Sequence, residues 1–162
     1  MNDDPVVTMM LPGAPRGKGR PRFKVIKPKG RPQFVSVYTD AETAEYEASL
    51  AAVGRQAMGS MAPLDEALTV FIEVFVPIPA SWSKKAQEAA RRGDVMPESK
   101  PDGDNYQKIA GDALNKIVWV DDSSIVMWQC LKRYSDFPRM RISVWRWFDQ
   151  PAEQEQGGLF DE

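Results

Sequence analysis

Residues 100–126, KPDGDNYQKIAGDALNKIVWVDDSSIV, carry five aspartates, and four of them lie at the two ends of the stretch. Asp102 and Asp104 precede a predicted helix over residues 105–116, and Asp121 and Asp122 follow it. Carboxylates that are held close together repel one another, and each raises the free-energy cost of ionising its neighbour. The concentration of acidic residues around one helix therefore predicts that a cation binds between them.

Two further helices are predicted on the N-terminal side of this stretch. YTDAETAEYEASLAAVGRQAMG has Thr39 or Asp40 as its N-cap and Gly59 as its end. SWSKKAQEAARRGD predicts a short basic helix with Ser81 as its cap and Gly93 as its end. Both segments combine a capping side chain, good helix formers and a terminal glycine, which is the usual composition of a helix with its boundaries.

Strands are predicted where β-branched and aromatic residues concentrate, over residues 6–11 and 67–76. IVMWQCLKRY and RMRISVWRW are predicted to pair as a hairpin across SDFP, because apolar and polar residues alternate along them. The order β-α-β-α-α-β-β predicts a single α+β domain with a small mixed β-sheet over residues 1–149. The polar tail, residues 150–162, is predicted to be disordered.

Two absences from the composition narrow the chemistry. The chain of 162 residues has no histidine and a single cysteine, Cys130, which lies in an apolar run. Within one chain this composition excludes disulfide frameworks, the usual zinc sites and Ser-His or Cys-His nucleophiles. An enzyme of this composition would rely mainly on Asp, Glu, Lys, Arg or Tyr, and hard oxygen ligands indicate Mg²⁺ or Mn²⁺.

The sequence also predicts where the protein resides. It contains no run of about 18 apolar residues, so no membrane span is predicted. The N-terminal residues MNDDPVV are acidic and lack the pattern of a signal peptide, which predicts a cytoplasmic protein.

Charge is distributed unevenly along the chain. Residues 15–34 hold eight basic residues and no acidic ones, whereas the remaining chain holds 13 basic and 23 acidic residues, a balance of −10. An acidic body repels DNA except where the basic segment leads it in, which favours directed binding to phosphates over a merely solvated charged loop. The basic residues predicted to contact DNA phosphates in this segment are Arg16, Lys18, Arg20, Arg22, Lys24, Lys27, Lys29 and Arg31.

The aspartates before the helix admit two interpretations. Asp104 can be a helix N-cap with Gln107 as its capping-box partner, while Asp102 belongs to a turn. Alternatively, Asp102 and Asp104 point into one pocket and bind a metal ion, with the later aspartates brought beside them. An EF-hand is excluded, because Tyr106 and Ala113 stand where that loop requires oxygen ligands.

Lys108 also admits two interpretations. It lies one helical turn beyond Asp104, on the same helix face. Beside carboxylates and a metal ion, it would support the charge that develops in phosphoryl chemistry. Alternatively, it forms a surface ion pair with Asp112, four residues later, and contributes little.

Several segments together resemble the RusA-type Holliday-junction resolvases, which are magnesium-dependent endonucleases. Residues 100–126 show that family's D-x-D-N-x-x-K run, then D-A-L, then an aromatic-x-D-D ending. GKGRPRF, YTDAETAEYE and PIPASWSKK extend the resemblance in the same order, so that it covers residues 12–147. The resemblance implies a homodimer that acts on branched DNA, and a bacterial or phage-encoded protein.

The resemblance also implies roles for individual residues. It places the family's three catalytic, metal-binding carboxylates and its catalytic lysine at Asp102, Asp104, Asp122 and Lys108. Asp112 and Asp121 are expected beside the metal ligands, although the choice between Asp121 and its neighbour is open, because the spacing varies by one residue among members. Lys84 and Lys85 are expected to contact DNA. Gly103 departs from the family, in which a bulky apolar residue is usual, and it frees the backbone there.

The expected function is therefore a Mg²⁺-dependent, or Mn²⁺-dependent, structure-selective endonuclease that resolves four-way Holliday junctions by paired nicks. A dimer with two-fold symmetry would supply two sites in matching orientation. A non-catalytic DNA-binding protein with a metal-stabilised acidic loop is one alternative. A less selective nuclease that cuts flaps and other branched DNA is the other.

The C-terminal tail carries a separate motif. QGGLF fits the Q-x-x-L-F pattern that resembles the sliding-clamp-binding peptides of bacterial replication and repair proteins. Leu159 and Phe160 are adjacent large apolar residues in a polar tail, and burial in a pocket of a partner would stabilise each by roughly 1.5–3 kcal/mol. Gln156 could hydrogen-bond beside that pocket. Docking of these residues on their own domain, or no role, is the alternative.

Overall fold

The computed structural model describes residues 4–147 and confirms a single α+β domain. A four-stranded mixed sheet and a separate two-stranded sheet are joined by helices. The strands are β1 (Val7–Pro12), β2 (Arg22–Ile26), β3 (Phe34–Tyr38), β4 (Leu68–Pro77), β5 (Ile125–Ser135) and β6 (Arg139–Arg146). The helices are α1 (Ala41–Met58), α2 (Lys84–Arg92) and α3 (Gly103–Leu114), and a 3₁₀ turn spans Asp122–Ser124.

The main sheet has the strand order β1-β6-β4-β5, and only the β4–β5 pair is parallel. The predicted pairing of β5 with β6 is therefore wrong, because β4 lies between them. β4 is an almost continuous apolar run, so it is stabilised at the centre of the sheet, where Val70, Ile72 and Val74 are fully buried. Pro77 ends β4, which lets the short connection after β5 cross the end of that strand.

α1 and α3 pack together against the sheet and enclose most of the core. Leu50 of α1 and Ile109 and Leu114 of α3 are fully buried beside the central strands. The two helices approach closely at Gly54, where an added Cβ would lie 2.6 Å from Leu114 Cδ2. Tight packing at this glycine fixes the position of α3 relative to the rest of the domain.

The predicted helix boundaries are confirmed for α1, and they shift for α2 and α3. Asp40 caps α1 by accepting a hydrogen bond from the Thr43 N–H, and Gly59 ends that helix. The cap of α2 is Ser83 instead of Ser81, because Ser83 is the residue whose hydroxyl reaches the third amide of the helix, at 3.2 Å. α3 begins at Gly103, two residues earlier than predicted, with Asp102 at the cap position.

The basic segment forms a hairpin, β2–β3, that stands apart from the main sheet. One of its faces presents Arg22, Lys24, Ser36 and Tyr38, with Ile26 and Phe34 at its loop end, since these residues alternate along the paired strands. Its other face is entirely apolar and consists of Phe23, Val25, Val35 and Val37, whose exposed fractions are 54–69%. Within residues 4–147, no helix is long and apolar enough to cross a membrane.

Candidate active site

The N-terminus of α3 places the first two aspartates differently from either simple interpretation. Asp102 occupies the N-cap position, but its side chain makes no capping hydrogen bond, while Asp104 lies in the first turn. Capping by Asp104 with Gln107 is therefore not what this helix uses. Gly103 begins the helix without a positive φ, so its conformational freedom is not needed at this position.

A cleft of about 310 Å³ runs along one face of α3 and collects most of the predicted catalytic residues. Residues at i, i+4 and i+7 share a helix face, which is why Asp104, Lys108 and Gly111 all line it. Asp122 reaches the cleft from the 3₁₀ turn, and Trp128 reaches it from β5. The full lining is Asp104, Gln107, Lys108, Gly111, Asp112, Asp122 and Trp128.

The chain after α3 folds back to bring Asp122 beside the helix. Val118 and Trp119 are fully buried and anchor this return, and Val118 O accepts a hydrogen bond from the Leu64 N–H at 2.8 Å. Gly111 gives the carboxylate room, because a Cβ added there would lie only 3.3 Å from Asp122 Oδ2. Two aspartates that are 18 positions apart in the sequence thus line one cleft.

Asp121 has a different task from its neighbour. Its carboxylate caps the 3₁₀ turn by accepting a hydrogen bond from the Ser123 N–H at 2.8 Å. This hydrogen bonding with Ser123 lowers the pKa of Asp121, since it favours the ionised carboxylate. Asp121 is not among the residues that line the cleft, so the geometry separates the two adjacent aspartates.

The donor set of the cleft fits Mg²⁺. This ion is usually held by one or two protein carboxylates, several waters and the phosphates of its substrate. Asp104 and Asp122 supply two hard oxygen donors to one cleft. Asp102 is exposed and does not line it, and among residues 4–147 no three acidic or cysteine side chains come together as a complete protein cage.

The start of the basic segment is fixed against α3 instead of projecting into solvent. Lys18 donates its backbone N–H to Asn105 O at 2.9 Å, and its ammonium pairs with Asp112 at 2.9 Å and with Glu47. Burial alone lowers the pKa of Lys18, but the hydrogen bonds to Glu47 and Asp112 outweigh it, so the pKa is raised. The predicted alternative of a Lys108–Asp112 pair is absent from the described residues, because Asp112 pairs with Lys18.

Arg16 is similarly engaged within the domain. Its guanidinium pairs with Asp40 at 2.9 Å and with Glu42 at 2.7 Å, at the beginning of α1. The remaining basic residues of the segment are exposed on or around the hairpin, and they are Arg20, Arg22, Lys24, Lys27, Lys29 and Arg31. Lys84 and Lys85 are exposed in the first turn of α2.

Gln107, Gly111 and Trp128 line the cleft, although none of them is among the predicted site residues. The helical spacing from Asp104 could have indicated the first two, which lie three and seven residues later. Trp128 had no such signal, because its position depends on how β5 packs beside α3. Gln156, Leu159 and Phe160 lie outside the described residues, so their predicted role in binding a partner stays a prediction.

Comparison with known proteins agrees with the geometry. The family described as "Endodeoxyribonuclease RusA" matches residues 12–145, which include the hairpin, α3 and all the residues that line the cleft. The chain belongs to the RusA family. RusA membership implies endodeoxyribonuclease activity. The chain is also similar to the uncharacterised protein YqaN of Bacillus subtilis (strain 168), with 32% identity over 134 residues that cover 82% of this chain and 90% of the relative.

Gly111 provides a test of the cleft geometry. We expect Gly111→Ala to raise helix stability by up to about 1 kcal/mol, because alanine favours helix interiors. The same change should lower cleavage about tenfold, since the new methyl group displaces the Asp122 carboxylate and misplacement by 1 Å costs about 100-fold. Thermal melting and single-turnover cleavage on one preparation would measure both effects.

Gly103→Ala is the matched control for that substitution. A Cβ at Gly103 would lie 3.6 Å from Cys130 Cβ and 3.7 Å from its Sγ, which are ordinary van der Waals distances. We therefore expect Gly103→Ala to leave cleavage unchanged. Equal cleavage by both variants would show that Asp122 does not depend on the space at Gly111.

Proposed function

We propose that this RusA-family protein is a Mg²⁺-dependent, structure-selective endonuclease that resolves four-way junctions by paired nicks. The observation that carries the proposal is the convergence of Asp104, Lys108 and Asp122 on one cleft. Two carboxylates can hold a metal ion, and a lysine ammonium can stabilise transition-state charge, so this set suits metal-assisted phosphodiester hydrolysis. The chain has no histidine, so no imidazole of this chain can act as an acid, a base or a ligand in the cleft.

Asp104 and Asp122 would hold the metal ion. When bound, Mg²⁺ supplies Lewis-acid chemistry that polarises a phosphoryl oxygen and offsets its negative charge. Lys108 would bind a non-bridging phosphate oxygen and stabilise the charge that develops on it. Because Asp112 pairs with Lys18, Lys108 is available for the phosphate. Asp102 would complete the ligand set when DNA binds, since its carboxylate is not used for capping.

The β2–β3 hairpin and the loop at its tip would guide DNA into the cleft. The hairpin begins at Arg22, four residues after Lys18, which contacts α3 beside the proposed catalytic residues. Its exposed basic residues lie on a body with an excess of acidic residues, so DNA is attracted mainly along this surface. Arg16 and Lys18 would contribute by positioning the segment rather than by contacting phosphates.

The apolar face of the hairpin, formed by Phe23, Val25, Val35 and Val37, would contact a second copy of the chain. This face has no charged side chain, whereas the opposite face of the hairpin carries Arg22 and Lys24 for DNA. Paired nicks require two sites related by two-fold symmetry, and a two-fold interface is made by the same surface on both subunits. An isolated two-stranded hairpin is only marginally stable, so coverage of this face also stabilises it.

Val37→Glu tests this surface. We expect the variant to sediment near the monomer mass of 18.2 kDa and the parent protein to sediment as a dimer. Ser36→Glu adds the same charge to the opposite face of the same strand, so it should leave the dimer intact. Unchanged sedimentation of Val37→Glu would place the dimer interface elsewhere.

A substrate panel tests the proposed function itself. Four-way junctions, flaps and linear duplexes of matched sequence would be incubated with Mg²⁺ and, separately, with Ca²⁺. We expect symmetrical nicks in the junction with Mg²⁺, and binding without cleavage with Ca²⁺. Equal cleavage of flaps and junctions would favour the less selective nuclease, and binding without cleavage under every condition would favour the non-catalytic protein.

Contact of the C-terminal tail with a sliding clamp is a separate proposal. It rests on the QGGLF motif alone. Titration of a peptide that spans residues 150–162 against a bacterial clamp would test it without involving the catalytic domain.

A further inference from the structure

Trp128 lines the cleft and is aromatic. The other residues that line it are acidic or basic, or are a glutamine or a glycine. It lies on β5, directly opposite Val70 of the central strand β4. The side chain is half-buried, so part of the indole packs on the core and part faces the cleft.

The indole ring is held in a fixed orientation. Trp119, which is fully buried, contacts it edge-to-face, with ring centroids 6.0 Å apart and an interplanar angle of 84°. Edge-to-face contact is one of the two arrangements that aromatic pairs prefer. A ring that is already immobilised loses little conformational entropy when it binds a ligand.

Gly111 leaves the cleft open beside this ring. A Cβ added at Gly111 would lie 4.0 Å from Trp128 Cζ2 and 3.3 Å from Asp122 Oδ2. Any larger side chain would therefore fill the space between the indole and the carboxylate. The glycine places an apolar aromatic surface next to the groups that are proposed to act on the phosphate.

We propose that Trp128 forms a nucleobase-binding site for the nucleotide next to the scissile phosphate. This inference rests on the proposed function. Asp104, Asp122 and Lys108 match a phosphate and its metal ion, whereas a neutral indole matches the face of a base. A base within a duplex is stacked on its neighbours, but a base at a branch point leaves its stack at lower cost. Stacking on Trp128 thus selects branched DNA for cleavage.

Fluorescence of 2-aminopurine placed at each position around the scissile phosphate tests the site on the parent protein, with Ca²⁺ in place of Mg²⁺. We expect a change in fluorescence at one position adjoining that phosphate, and little change two or more nucleotides away. The same response at every position would overturn the proposal. This measurement does not depend on whether any variant folds.

Trp128→Leu and Trp128→Phe separate base binding from core packing. Leucine keeps an apolar contact with Trp119 but cannot stack, whereas phenylalanine keeps a stacking ring. We expect Trp128→Leu to lower single-turnover junction cleavage about 5- to 150-fold, equivalent to about 1–3 kcal/mol of stacking, and to abolish the local 2-aminopurine signal. Trp128→Phe should retain the signal and most of the activity.

Two other results would overturn the inference. Equal cleavage and equal 2-aminopurine signals in both variants would show that no base binds the ring. Equal losses in both variants, matched by equal losses in melting temperature, would assign Trp128 to core packing alone.

If the parent protein cleaves junctions in these experiments, the proposed function stands whatever the variants do. If it cleaves no substrate, the proposed function and the nucleobase site fail together.

Discussion

Asp104→Asn and Asp122→Asn are each expected to abolish junction cleavage, with losses of at least about 1,000-fold in single-turnover rate. Each substitution removes a negatively charged oxygen donor from the cleft that the two aspartates share. A metal ion held by these carboxylates would supply several kcal/mol to the transition state, and each 1.36 kcal/mol corresponds to a factor of ten in rate. Binding to the junction in metal-free buffer should survive or tighten, because the substitution removes a negative charge that repels phosphate.

Asp121→Asn is the matched control, since it makes the same chemical change one residue away. Asparagine is as good a capping residue as aspartate, so the 3₁₀ turn that Asp121 caps should be retained. We expect near-normal cleavage by this variant. Full activity of Asp122→Asn together with loss of activity in Asp121→Asn would reverse the assignment that the geometry favours.

Asp102→Asn tests whether Asp102 is a third metal ligand. Asp102 does not line the cleft, although its carboxylate is exposed at the start of α3. If it completes the metal site when DNA binds, its substitution should lower cleavage as severely as Asp104→Asn. Near-normal cleavage would limit the protein ligands to two, which is a common arrangement for Mg²⁺.

The helical part of the site could be predicted from the sequence because it is local. Asp104 and Lys108 share a helix face at any i, i+4 spacing, so their proximity follows once the helix is identified. The choice between Asp121 and Asp122 did not follow, since adjacent residues point in different directions. That choice depends on the 3₁₀ turn, on the buried Trp119 and on the space beside Gly111.

The strand order of the main sheet could also not be predicted from local sequence patterns. Residues 125–134 and 139–147 are predicted as strands from their alternation of apolar and polar residues, and the structure has strands there, but the predicted pairing is wrong, because proximity in the sequence favours a hairpin. Burial of the apolar strand β4 requires a partner on each of its edges, and this long-range requirement outweighs the short connection. The same arrangement places β5 beside α3, so the topology also explains why the position of Trp128 could not be predicted.

All eight basic residues of the basic segment are predicted to contact phosphates, whereas two of them, Arg16 and Lys18, are paired with carboxylates of the domain. Arg16 and Lys18 lie where Asp40, Glu42, Glu47 and Asp112 offset their charges. No spacing rule joins residue 18 to residue 112, since they meet only after α1 and α3 have packed together. Removal of Lys18 should therefore disturb the packing around α3, and removal of Arg16 should disturb the start of α1.

The second large effect is expected at Lys108. Lys108→Ala should lower single-turnover cleavage by about 100- to 1,000-fold, the usual cost of removing one group that stabilises transition-state charge. Junction affinity should change little, because Lys108 lies within the cleft and is one of many positive charges on the protein. Comparison of the cleavage rate at saturating enzyme with the dissociation constant in Ca²⁺ would separate the two quantities.

Arg20→Ala combined with Arg22→Ala should show the opposite behaviour. If both residues contact phosphate, their removal weakens binding and flattens the dependence of log K on log salt by about two units, since each phosphate contact contributes about 0.9. Cleavage at saturating enzyme should stay close to that of the parent. Arg91→Ala combined with Arg92→Ala is the matched control, because it removes the same charge from residues whose partners are Asp136, Glu88 and Asp94. An unchanged salt slope in the Arg20 and Arg22 variant would show that these two residues do not contact DNA phosphates. Loss of affinity as strong as the loss of activity in Lys108→Ala would show that Lys108 is a contact residue instead of a catalytic one.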